Sequence, residues 1–394
     1  MNFDPEVATQ AWMATLGAAA RARSDAYFEG GYWLLLWEAL VSGLAAWLVL
    51  RLGWAARLSA RVQAFTPRKW LQSFLFALPY MVIIALITAP FAIYTEYYRE
   101  QQYGLMNQGL AEWLGENALI VLINGFMVAL LFIGNHAAIR RAPTGWWTLA
   151  TGISVAGLAI VIMIGPVFFE PLFNKYTPLP TGPVRDAVLS MARANGVPAD
   201  NVYLVDASKQ SDRISANVAG LFGTTRIALN DNLLKQPVDE VRAVMAHELG
   251  HYVLNHIWKM LITLSLIIAL AFLAAARLLP WLLARFGSGW GVTSLADPAI
   301  LPVAFIIFAG LGVVLTPFTN TLVRTQEMEA DRFGLNAARA PEGFASIAMK
   351  LSQYRKIEPG PWEEIIFFDH PSGYTRVSTA MRWKAEHVGQ SDVR

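Results

Sequence analysis

Six stretches of this chain are apolar over a length able to cross about 30 Å of hydrocarbon, and they set its plan. They lie near 31–50, 71–94, 118–138, 147–169, 260–284 and 299–323. Trp33, Trp37, Trp54, Trp70, Trp146 and Trp147 cluster at their ends, as in an interfacial aromatic belt. Polar residues inside them, such as Glu38, Asn124, Asn135 and His136, are expected to face other helices or an aqueous space rather than lipid. The expected fold is therefore mainly α, a polytopic membrane protein of about six spans, with spans 1–4 in 31–170 and spans 5–6 in 259–325.

The polar pattern differs elsewhere. Residues 1–30 mix acids and bases without the basic start and apolar centre of a signal peptide, and they suggest an amphipathic surface helix through Val7, Trp12, Met13 and Leu16. Between the fourth and fifth stretches, 171–258 reads as a small α+β domain. A stiff connector holds Pro171, Pro178, Pro180 and Pro183, and a helix follows from Arg185 to Asn195. Strands are expected at 202–206, 214–219 and 226–229, with Gly220 and Gly223 between the last two. Pro237, followed by Asp239 and Glu240, suits a helix start. After the sixth stretch, 326–394 reads as helices over Arg324–Ala338, Pro341–Tyr354 and from Tyr374 onward, completing the same domain.

Composition agrees with this plan: of 394 residues 55% are hydrophobic and 15% charged, well below the roughly 25% charge of soluble domains. A net charge of +2 gives no reason to expect a nucleic-acid partner. With no cysteine, disulfides, thiolate metal ligands and thiol nucleophiles are excluded.

The chemistry concentrates in His247-Glu248-Leu249-Gly250-His251. Histidines four apart share one helix face and can hold one zinc ion, while Glu248 is placed to act as general base in peptide hydrolysis. His256, five positions after His251, falls on another face of an unbroken helix and is a poor third ligand. Asn320, Arg324, Glu327 and Asp331 share one face of the helix after the sixth stretch. Glu327 offers the third ligand, and Asp331 a carboxylate for an imidazole N–H; Glu329 points elsewhere. The plainer readings are two structural histidines without metal and an ion-paired helix end. The two motifs together favour the metal site.

H-E-x-x-H followed by N-x-x-x-R-x-x-E-x-x-x-D resembles the M48 zinc metallopeptidases, specifically the Ste24 branch of CaaX prenyl protease 1 enzymes. The likeness continues in Glu100–Gln108, in Pro171–Leu179, in Ser208–Ser211 with Arg226–Leu234, and in His370-Pro371 with Arg376. It covers about residues 31–385. The resemblance implies an integral-membrane zinc endopeptidase with one zinc on His247, His251 and Glu327, and Glu248 as base. Asp331, Asn320 and Arg324 would stand behind the ligands. His370 would be a catalytic partner for the oxyanion and Arg376 a substrate contact. Ser215, Ala216, Asn217 and Val218 would pair with a peptide by strand addition. It also implies a peptide or protein substrate, C-terminal CaaX-type, lipidated or membrane-associated, and a water-filled chamber among the spans. Ser215 stands where the family has Asn, and Asn217, on the same side of a strand, is the expected substitute. Ser372 and Thr375 replace a Pro and a Glu of the family's pattern. Eukaryotic members are expected to have seven spans, so the missing one would be the first.

The competing readings are a heat-shock quality-control protease of the HtpX type and a transporter or channel with structural histidines. A cell-membrane location with a cytoplasm-facing catalytic domain follows from the resemblance. The loop charges disagree: Arg51, Arg57, Arg61, Arg68 and Lys69, then Arg140 and Arg141, put the first and third loops inside by the positive-inside rule.

Overall fold

The computed structural model describes residues 3–219 and 225–390; the expected glycine turn at Gly220 and Gly223 lies outside them. Among the described residues six helices are long and apolar enough to cross a membrane: Ala18–Arg51, Lys69–Gln102, Leu110–Arg141, Trp146–Leu172, His256–Trp290 and Ile300–Ala338. Each expected span is present, and most run well past the apolar stretch. The first helix begins at Ala18, so residues 18–30 belong to it and not to a separate segment. The sixth continues without a break from apolar Ile300 to Ala338, carrying its polar end into the catalytic domain.

A four-stranded sheet lies between spans four and five. Its strands are β1 (Tyr176–Pro178), β2 (Val202–Val205), β3 (Ala216–Ala219) and β4 (Arg226–Asn230), in the order β1-β2-β4-β3. β2 and β4 are parallel, while β1 and β3 run antiparallel on the two edges. The expected stiff connector thus contains a short edge strand, β1. Ile227 and Leu229 of β4, Val202 of β2, and Met245, Ala246 and Leu249 of the Val238–Val253 helix form a core closed by the Pro183–Ala194 helix.

Two further helices lie where loops are expected. Trp54–Phe65 joins the first two spans, with Ala55, Ser59 and Val62 facing inward and Arg57 and Arg61 outward. Pro361–Phe367 precedes His370. The N-terminal helix, Pro5–Met13, is capped by Asp4, whose carboxylate accepts from the N–H groups of Glu6 and Val7. Its inner face packs on the C-terminal helix Gly373–Glu386, with Met13 beside Val377 and Met381.

Six crossings place 52–68, 142–145 and 291–299 at one end of the bundle and 173–255 at the other. A 2.5 Å hydrogen bond from Ser59 to Asp297 joins two of these connections. The 103–109 loop emerges at the catalytic end. There Asn107 donates to the carbonyl of Ser208 at 2.8 Å, and Arg213 pairs with Glu100 at 2.6 Å. Of the intramembrane polar groups, Glu38 borders a cavity of about 360 Å³ with Phe305, Phe308 and Gly312, between spans one and six. Asn135 donates to Ser154 at 3.1 Å, and His136 is buried against Ser73 and Arg140. Asn124 is exposed and borders none of the described cavities.

Candidate active site

Val238–Val253 starts after Pro237, with Asp239 and Glu240 in its first turn, where acids suit the helix dipole. It packs its small-residue side directly on the end of the sixth span. A Cβ at Gly334 would sit 3.0 Å from the backbone nitrogen of His247, and one at Gly250 would sit 3.3 Å from the Ala330 backbone. Neither helix could carry a side chain at these points and stay as close. This approach brings Glu327 over the histidine face.

The result is a tight triangle of donors. The Nε2 atoms of His247 and His251 are 3.0 Å apart. Glu327 Oε2 lies 3.2 Å from the first and its Oε1 3.3 Å from the second. A tetrahedral zinc with bonds of about 2.0 Å has edges of about 3.3 Å between its ligand atoms, so this donor set fits one zinc ion with a fourth position free. Charge agrees. Burial alone would lower the His247 pKa, but Asp331 and Glu327 push it up to about 10. Two carboxylates here demand a positive charge, whether a proton or a metal ion.

Behind the triangle, Asp331 accepts from His247 Nδ1 at 2.8 Å. That contact fixes the tautomer in which Nε2 keeps its lone pair for a metal. Arg376 grips Asp331 through Nε at 3.0 Å and Nη2 at 2.9 Å, and reaches Glu327 at 3.3 Å. Burial disfavours the Arg376 charge, but Asp331 and Glu327 more than offset this and hold its pKa above the ordinary value. Arg376, expected as a substrate contact, is 9% exposed and holds these carboxylates while also bordering the cavity.

Asn320 and Arg324 are on the expected helix face but do not reach the ligands. Asn320 donates to the Ile366 carbonyl at 2.9 Å, and Arg324 to the carbonyls of Glu364 and Phe368 at 2.7 and 2.5 Å. They hold the end of Pro361–Phe367, and with it the loop that presents His370. That side chain stands with Nε2 3.4 Å from Glu327 Oε2, while Nδ1 pairs with Asp369 at 2.8 Å.

A cavity of about 160 Å³ opens beside the triangle, walled by His247, Glu248, Glu327, His370 and Arg376. Ile214, Ser215 and Ala216 border it on one side, where β3 is an edge strand with one rim unpaired among the described residues. Asn217 and Val218 lie farther along β3 and do not wall the cavity; Val218 packs on the domain core. The Asn217 side-chain oxygen is buried with no hydrogen-bond partner among the described residues. Glu248 is half-buried at the wall, and desolvation raises its pKa against the pull of His247 and His251. Tyr354 and Arg355 also line the cavity, and neither carries a motif that would have marked it.

Residues 178–384 match the model of peptidase family M48, and residues 11–175 match the CAAX prenyl protease N-terminal domain, described as five membrane helices. An uncharacterised metalloprotease of Bacillus subtilis, YhfN, is 28% identical over 88% of this chain and 80% of its own length. The CAAX prenyl protease 1 of Saccharomyces cerevisiae is 28% identical over 76% of this chain and 70% of its own. The crystal structure of S. mikatae Ste24p shares the fold at a TM-score of 0.66 and 24% identity, covering 79% of this chain and 75% of that one. A multi-pass membrane helix bundle thus carries a histidine-glutamate donor triangle beside a cleft, in a chain matched by both family models, and the chain belongs to peptidase family M48, as an integral-membrane metalloendopeptidase.

Proposed function

We propose that the metal is zinc, held by His247, His251 and Glu327, and that the substrate is an extended peptide laid along β3. The donor triangle carries this reading, since its spacing suits three zinc ligands and leaves a position toward the cavity. Zinc bound there would polarise the scissile carbonyl and make water a stronger nucleophile. Glu248 takes the proton from the attacking water and returns it to the departing amine nitrogen. His370, held by Asp369 at Nδ1, donates from Nε2 as an imidazolium to the carbonyl oxygen as negative charge gathers on it. Arg376 and Asp331 keep His247 in its lone-pair tautomer throughout. The free rim of β3 offers main-chain groups to a substrate of any sequence, and this suits a protease reading extended tails.

The substrate class we assign is a membrane-associated or lipidated C-terminal tail of the CaaX type, on the strength of the relatives named CAAX prenyl protease 1. The domain organisation we assign is four N-terminal spans, a catalytic domain split by spans five and six, and a C-terminal part returning to the site. We place the protein in the cell membrane with the catalytic domain toward the cytoplasm, as the family likeness suggests, although the basic loops lie at the opposite end. Because the chain has no cysteine, a single one introduced at Lys235 is a clean probe of this. Labelling of intact cells by an impermeant maleimide would reverse the assignment.

The test of the chemistry is metal analysis together with cleavage of a farnesylated and an unmodified peptide by wild type and Glu248→Gln. One equivalent of zinc in both proteins, with cleavage only by wild type, is the expected result. Equal cleavage by both ends the reading. Preference for the unmodified peptide ends the substrate assignment alone.

A further inference from the structure

The Val238–Val253 helix stops just after its second histidine. Leu254 closes it, and Asn255 takes a left-handed conformation at φ 57° and ψ 38°, from which the fifth span starts at His256. Asn is among the few residues that adopt this region readily. On an unbroken helix, positions five apart lie about 140° apart around the axis, so the two rings would not meet. The break returns His256 to His251: their Nδ1 atoms are 2.9 Å apart, with the rings inclined at 76°. The other nitrogen of His256, Nε2, lies 3.1 Å from Glu329 Oε2, which Lys259 also holds at 2.6 Å. His256 is 2% exposed and takes no part in the chemistry above.

We infer that Glu329 and His256 form an orienting relay for His251, fixing the tautomer in which its Nε2 lone pair points to the metal position. The inference rests on the metal reading of the site. Its logic follows the protons. Ionised Glu329 is acceptor-only, so His256 donates from Nε2–H. A neutral His256 then has only a lone pair at Nδ1, and the facing Nδ1 of His251 must carry the shared proton. That leaves His251 Nε2 unprotonated, facing His247 and Glu327. The other tautomer of His251 sets two lone pairs against each other at 2.9 Å. The two histidines are thus prepared differently: His247 directly by a carboxylate, His251 through a second imidazole. His256 and Glu329 are positioning residues, and outer partners of this kind commonly change metal affinity by about 10–100-fold.

The test is zinc affinity of the purified full-length protein, measured by competition with a chromophoric chelator. His256→Ala should weaken binding about 10–100-fold, and Glu329→Gln should weaken it less. His256→Gln should recover most of the loss, because its amide oxygen can accept from His251 Nδ1–H; a purely packing role would give no such recovery. Glu329 is about two-fifths exposed, so its variant tests the relay even where His256→Ala fails to fold. Unchanged affinity in Glu329→Gln and no difference between His256→Ala and His256→Gln, while His251→Ala loses zinc, overturns the relay. Wild type without stoichiometric zinc, or His251→Ala binding as well as wild type, instead overturns the metal reading and the relay with it.

Discussion

Alanine at Gly334 should pry apart the two helices that carry the metal donors. Its Cβ would lie 3.0 Å from the nitrogen and 3.2 Å from the Cα of His247, against ordinary contacts that begin at 3.4 Å. Both atoms are backbone and cannot rotate aside, so the helices must part by about 0.4 Å, the difference between 3.4 and 3.0. Glu327 rides on the same helix, two turns before Gly334. Its 3.2 and 3.3 Å separations from the histidine nitrogens would widen to about 3.6 and 3.7 Å, taking 0.4 Å as the opening. Metal sites tolerate ligand displacements of roughly 0.2 Å, so the opening is twice what a fitted zinc accepts without rebuilding. Overpacking of this kind costs about 1–3 kcal/mol, of which the better helix propensity of Ala returns about 1. We expect zinc affinity to fall about tenfold or more, a tenfold change being about 1.4 kcal/mol, with catalytic activity falling alongside. Gly310→Ala, in the same helix with nothing within 4 Å of its Cβ, is the matched control and should change neither. The assay is chelator competition for zinc, followed by peptide cleavage at saturating zinc. Wild-type affinity and activity in Gly334→Ala would show that the helix approach does not set the donor triangle.

Chelation should abolish cleavage and added zinc restore it, whereas Glu327→Ala should lose zinc at concentrations that fill wild type; full activity in excess chelator would refute this. Arg324→Ala removes charge-assisted bonds to two carbonyls, each worth about 1.5–3 kcal/mol, and should lower kcat about tenfold or more by loosening the His370 loop. Zinc affinity should stay at the wild-type value, and a parallel loss of zinc would contradict that division of labour. Asn217→Ala should slow turnover more than Ser215→Ala, since Asn217 lies on the same side of β3 and is the expected substitute for the family's Asn. The opposite order would assign that role to Ser215, which borders the cavity.

The six spans were legible because bilayer length and apolar composition leave little choice, but their ends were not. Hydropathy falls off where a helix enters water, although the helix itself continues, as at 18–30 and 324–338. The spacing from Glu327 to Asp331 correctly placed both beside the histidines. The same reasoning put Asn320 and Arg324 on the right face but could not say what faces them, which is the 361–368 segment. His256 was discounted because the sequence was read as one helix through it. A left-handed Asn255 turns His256 back onto His251, although His256 is still not one of the three donors, and Asn, which favours caps and turns, was the one local sign of the break. The Tyr176–Pro178 strand is three residues long and hidden among prolines; only its pairing with Val202–Val205 reveals it.

The donors of one metal site are separated in the chain by two complete membrane crossings, with the histidines before span five and the carboxylate at the end of span six. During synthesis, a nascent chain that has exposed its histidine box to the aqueous side holds two of three donors and has neither the Arg376 clamp nor the His370 loop. Competence therefore arrives only after the last helical hairpin has threaded through the bilayer and its far end has returned. Connectivity thereby withholds proteolytic power from partly inserted or truncated chains. Correct topogenesis and catalytic maturation are one event.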